Sequence, residues 1–70
     1  MTPYLTDSER RIIRALWELT DEVGYPPSIR EIAEAVALSA STVANHLQAL
    51  ERQGVVTHTP YRSRSYQVRS

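Results

Sequence analysis

The sequence contains no cysteine and no lysine, only two glycines, and no apolar run near the roughly 20 residues that a membrane-spanning helix needs. Without cysteine there is no disulfide framework and no thiolate metal site. His46 and His58 lack partners at metal-ligand spacing, so no metal or other cofactor is expected. Two glycines leave no Gly-rich phosphate loop, and no nucleophile–base pair stands at readable spacing, so the chain is not expected to be an enzyme. Paired acids such as Asp21-Glu22 fit an exposed helix face. No signal peptide opens the sequence, which points to a soluble, cytoplasmic protein. Seventy residues make one small domain, burying only about 60% of its unfolded surface.

With no lysine, all positive charge rests on eight arginines, which eight acids cancel to a net charge of zero. The distribution is uneven. Residues 1–35 hold four arginines against seven acids, a net of −3, and residues 36–70 hold four against Glu51 alone, a net of +3. Arginine is the side chain suited to forked contacts with phosphate and guanine, so the C-terminal half is the candidate for a polyanion.

Local signals divide the chain into three helices and a hairpin. Thr6 with Glu9 forms a capping box that opens a helix over about 7–23. Ile12, Ile13, Leu16, Trp17, Thr20 and Val23 recur on it at helical spacing, with Trp17 expected in the core. Gly24 stops it, and Tyr25-Pro26-Pro27 forms a stiff extended connector. Ser28 and Glu31 repeat the capping box for a short helix over about 29–36, buried through Ile32, Ala33 and Val36. Ala37-Leu38 makes a tight turn, and Ser39 caps a third helix over about 40–53 that Gly54 stops. A stretch rich in β-branched residues, about 55–59, and an alternating one, about 64–69, then flank a turn over Pro60 to Ser63. This order predicts a mainly α fold with a small β-hairpin, a winged helix-turn-helix over 1–70, with Tyr66 in its core. A generic three-helix bundle is the plainer alternative.

The third helix carries the chemistry. With Val43 at the origin of a wheel turning about 100° per residue, Leu47 and Leu50 fall within about 40° and mark the core side. Ser41, Asn45, Gln48 and Arg52 gather near the opposite pole, where a merely solvated helix usually carries Glu and Lys. Asn and Gln can each hold an adenine edge with two hydrogen bonds, Ser can serve several bases, and the flanking Thr42 and Ala44 can touch a thymine methyl. His46 borders the core side and reads as a structural histidine or a phosphate contact. Tyr61, Arg62 and Arg64 sit at the hairpin tip and its exit, suited to phosphates or a minor groove. Ser28, Arg30 and Ser39 lie near helix starts, where phosphate can bind, although Ser28 and Ser39 are equally explained as caps.

The run "GYPPSIREIAEAVALSASTVANHLQALERQGVV" resembles the N-terminal DNA-binding domain of LexA-type repressors, and "PYRSRSYQV" resembles the Arg-containing wing of actinobacterial members. The most specific parts are Gly24-x-Pro26-Pro27-Ser28 with Arg30-Glu31-Ile32, and His46-Leu47-x-Ala49-Leu50 ending at Gly54. The resemblance implies a repressor that binds an operator in double-stranded DNA in the bacterial nucleoid, with Ser39, Ser41, Thr42, Ala44 and Asn45 at the base-reading positions. Palindromic or repeated half-sites, with two copies pairing on the DNA, would supply the affinity that one helix lacks. Two departures stand out. The turn "VALSAS" has Ala37 where Gly is common, and the residues at the reading positions differ from the best-known members, so no operator sequence carries over. Such repressors continue into a self-cleaving, dimerising Ser/Lys protease domain, for which these residues supply neither cleavage site nor dyad. The chain is thus either an excised domain or a small free-standing regulator. A winged helix that docks a protein partner instead of DNA is the competing function.

Overall fold

The computed structural model describes residues 5–62 and 64–69, leaving Ser63 of the expected wing turn outside. Three helices, α1 (Asp7–Val23), α2 (Ile29–Val36) and α3 (Ala40–Arg52), precede two short strands, β1 (Val56–Thr57) and β2 (Gln67–Val68). The strands pair antiparallel, Val56 opposite Val68 and Thr57 opposite Gln67. This is a winged helix-turn-helix. Helix α1 packs on α2, α3 and β2, while α3 packs on α2 and β1.

Capping boxes start the first two helices. Thr6 Oγ1 accepts from the Glu9 N–H at 3.1 Å, and the Glu9 carboxylate accepts from the Thr6 N–H at 3.0 Å. Ser28 and Glu31 repeat the exchange at 3.2 and 2.8 Å. All three helices are followed by a residue in left-handed backbone, which turns the chain so that exposed carbonyls find donors. Gly24 (φ 84°) and Gly54 (φ 79°) use both glycines of the chain, so the stop after α2 falls to Ala37, at φ 58° and ψ 41°. There the Leu38 N–H bonds the Ala33 carbonyl at 3.0 Å and the Ala37 N–H bonds that of Glu34 at 3.4 Å. Gly54 closes α3 the same way, with Val55 N–H to Leu50 O at 2.9 Å and Gly54 N–H to Glu51 O at 3.0 Å.

These stops aim the apolar faces at one core. Ile12, Leu16, Ile32, Val43, Leu47, Leu50 and Val56 are almost wholly buried. Each contributes roughly 1.5–3 kcal/mol by leaving water. Tyr66 packs against this core, as its alternating position implied. Trp17 does not: it is 57% exposed, a correction to its expected core position. It lies at the edge where β2 meets α1, beside Leu16, Thr20 and Val68, and the two-residue strand is too short to cover it.

The wing is less regular than alternation predicts. Pairing expected over about 55–59 and 64–69 is confined to 56–57 and 67–68, plus one bond from the Arg69 N–H to the Val55 carbonyl. The Ser65 hydroxyl ends the ladder by taking the Thr59 N–H at 3.0 Å and lying 3.1 Å from the Thr59 carbonyl. Between them, Pro60 precedes Tyr61 at φ 67°, and the Arg62 N–H closes the turn onto Thr59 O at 3.2 Å. These are features of a type II turn, whose third residue needs positive φ.

Two long-range ties hold the wing. His58 stacks on Tyr66, centroids 4.5 Å apart, and its Nδ1 lies 2.6 Å from a Glu51 carboxylate oxygen on α3. Arg64 donates to the Glu31 carboxylate and lies over the Tyr25 ring, 5.5 Å from its centroid. The Ser28 backbone N–H and the Arg64 guanidinium both hold the Glu31 carboxyl below the usual carboxylate range.

Two predictions follow from these local geometries. Ala37→Gly should raise the urea-unfolding free energy by about 0.5–1 kcal/mol, since glycine meets no Cβ penalty at positive φ; unchanged or lower stability would refute strain there. Because the Glu31 carboxyl is lowered in the fold, its contribution is complete above the ordinary carboxylate range and disappears as pH falls through the folded value. Glu31→Gln keeps a cap acceptor but loses the ion pair, so its stability deficit should be present at neutral pH and vanish in acid. Added salt should shrink it, the pair being exposed.

Candidate nucleic-acid interface

The turn at Ala37 and the cap at Ser39 set how α3 leaves the body of the molecule. Ser39 Oγ accepts from the Thr42 N–H at 3.2 Å and donates to Thr42 Oγ1 at 2.8 Å, with Ser41 Oγ 3.5 Å away. Three hydroxyls therefore stand at the start of α3, where unpaired backbone N–H groups and the helix dipole favour an anion. Val43, Leu47 and Leu50 anchor the opposite side of the helix in the core.

That anchoring leaves the polar stripe outside. Ser39, Ser41, Asn45, Gln48 and Arg52 are exposed, and Thr42 and Ala44 flank them half-buried. Short side chains let a flat partner come close to the backbone over Ser41 and Asn45. Gln48 and Arg52 continue the stripe toward the end of the helix. Glu51, the one acid on α3, is turned to His58 of the wing.

His46 is half-buried on the core side of α3, its Nδ1 3.8 Å from a carboxylate oxygen of Glu9 on α1. The distance exceeds a hydrogen bond and becomes an ion pair only when the imidazole is protonated. Glu9 is itself buried, so the capping box of α1 also faces the third helix. Spacing identified Glu9 as a cap; its approach to His46, 37 positions away, has no local signal.

The wing supplies a second polar surface. Tyr61 at its tip is fully exposed, and Arg62 follows it, also exposed. Arg64, grouped with them by sequence, is instead engaged by Glu31 and Tyr25. Those partners stand 33 and 39 positions away, beyond any periodic signal. Ser28 is half-buried as the cap of α2, while Arg30 is exposed on its first turn. Among the described residues no cluster of three or more His, Cys, Asp or Glu could hold a metal ion, and no helix is long and apolar enough to cross a membrane.

Comparison with known proteins agrees with this arrangement. The model of the LexA DNA binding domain family matches residues 1–65. The chain is 50% identical over 66 residues to the LexA repressor of Streptomyces coelicolor, covering 93% of this chain and 28% of that protein. It is 46% identical over 68 residues to the LexA repressor of Mycolicibacterium paratuberculosis, covering 96% and 29%. With LexA repressor 2 of Nocardia farcinica the identity is 47% over 66 residues, covering 93% and 27%. The chain thus spans less than a third of the length of these relatives. A helix-turn-helix with an exposed stripe on α3, an arginine-bearing wing and a family match over nearly every residue lead to one conclusion: the chain belongs to the LexA DNA-binding domain family.

Proposed function

We propose that the domain binds a specific sequence in double-stranded DNA and represses transcription; its family is named for DNA binding and its relatives are named repressors. The observation that carries this reading is the exposed stripe of α3, which is free of acids and backed by a rigid core. In the proposal α3 enters the major groove by its first half. Asn45 and Ser41 hydrogen-bond base edges, Thr42 and Ala44 offer methyl groups to thymine, and Ser39 adds its oxygen at the helix start. Gln48 and Arg52 meet the backbone where the helix leaves the groove.

The wing and α2 complete the contact. Tyr61 and Arg62 reach phosphates or an adjacent minor groove, and Ser28 and Arg30 meet the backbone from the start of α2. Arg64 enters this arrangement already paired, so its share is to hold the wing in place while Arg62 takes the phosphate. A single recognition helix reads a few base pairs, and two copies on a palindrome or repeat would give a usable operator. The site of action follows from the partner: the nucleoid within the cytoplasm.

Selection of bound sites from random duplexes gives the operator and its spacing directly; failure to enrich any sequence at micromolar protein overturns the proposal in favour of a protein-docking role. On the selected site, Asn45→Ala should cost roughly 1–3 kcal/mol and cost little on random DNA. Equal losses on both would remove Asn45 from base reading. Arg62→Ala should weaken both duplexes alike and lower the slope of log affinity against log salt by about one.

A further inference from the structure

Helix α1 presents a stripe that DNA binding does not use. Arg10, Arg14, Trp17 and Asp21 stand at positions i, i+4, i+7 and i+11, within about 60° of one another on the helix wheel and opposite buried Ile12. All four are exposed, with the indole of Trp17 in the middle at 57%. An exposed tryptophan is the largest apolar group a small domain can leave in water, and beside arginines it is typical of a protein contact.

The spacing of the stripe, four, three, four, is the same read in either direction. Its charges are not: two arginines lie toward the start of the helix and an aspartate toward its end. Laid antiparallel on a second copy about a two-fold axis between Ala15 and Leu16, the stripe meets its own complement. Arg10 faces the second copy's Asp21, and Arg14 faces its Trp17, each pair occurring twice. Arg14 is held near Glu18 at 3.4 Å, but that ion pair is highly exposed and constrains the guanidinium little. Over an indole face the guanidinium gains a cation–π contact and covers the apolar ring.

We infer that the outward face of α1 is a self-complementary surface that pairs two copies of this chain, through Arg10–Asp21 ion pairs and Arg14–Trp17 stacks. A single pair of short helices buries far less than the roughly 800 Å² per partner of a stable interface. The association is therefore weak, populated at high concentration or when two copies are held near one another. It requires no DNA, so it stands or falls apart from operator recognition.

Sedimentation of the chain without DNA, from micromolar to millimolar concentration, tests it. The wild-type weight-average mass should climb toward that of a dimer, and the emission of Trp17, the one tryptophan, should shift over the same range. Arg10→Asp and Asp21→Arg should each leave the chain monomeric, because each sets like charges opposite one another in the self-pair. An equimolar mixture of the two variants should associate again, since the new carboxylate faces the new guanidinium and the remaining pairs are kept. Both substitutions suit the helix dipole, acid toward the start and base toward the end, so the folded monomer survives as the control. Trp17→Ala should abolish association in every combination. A wild type that stays monomeric at millimolar concentration overturns the inference and leaves the face to a foreign partner. Self-association that ignores the single charge reversals, or a mixture that stays monomeric, overturns it equally.

Discussion

The exposed polar stripe of α3 depends on the reversal at Ala37. The residue sits in left-handed backbone, and only in that geometry can the Leu38 N–H reach back to Ala33. The bond ends α2 after two turns and sends the chain into the cap at Ser39. From there the direction of α3 is determined, because Val43, Leu47 and Leu50 can be buried together in only one rotation of the helix. The exposed stripe is the remainder of that constraint. An alanine at this point costs conformational energy that glycine would not, and the core and two backbone bonds offset it.

The two glycines and the two capping boxes explain how so short a chain sets three helices with little apolar surface. A hydroxyl caps the start of each helix, joined by a carboxylate at α1 and α2, and a residue at positive φ follows each end, a glycine after α1 and α3 and Ala37 after α2. Packing then has few arrangements to choose between. The net charge of zero hides a division of the same economy, with acids concentrated on the first two helices and arginines dominating the last third.

This explains what could be read from the sequence and what could not. The helices and their limits were legible because caps and stops act over three to five residues, and the stripe on α3 was legible because a wheel needs only the helix and its apolar side. The position of Trp17 was not. Helical spacing gives an angle, but burial depends on what lies opposite, and β2 is too short to reach over the indole. The wing was half legible. Its strands shortened because Ser65 substitutes a hydroxyl for backbone pairing, and Arg64 found Glu31 and Tyr25 through the fold alone. For the proposed base-reading positions the fold adds only their exposure: Ser39, Ser41 and Asn45 are exposed, while Thr42 and Ala44 are half-buried.

One oxygen of Glu31 accepts from the Ser28 N–H and also from Arg64. The start of α2 and the base of the wing thus share an acceptor, although more than thirty positions separate them. Fraying of that helix end removes one of the two ties on the wing, and displacement of Arg64 leaves the Glu31 carboxylate to the cap alone. The start of α2 and the base of the wing are in this way joined through one carboxylate oxygen, so a change at either is felt at the other.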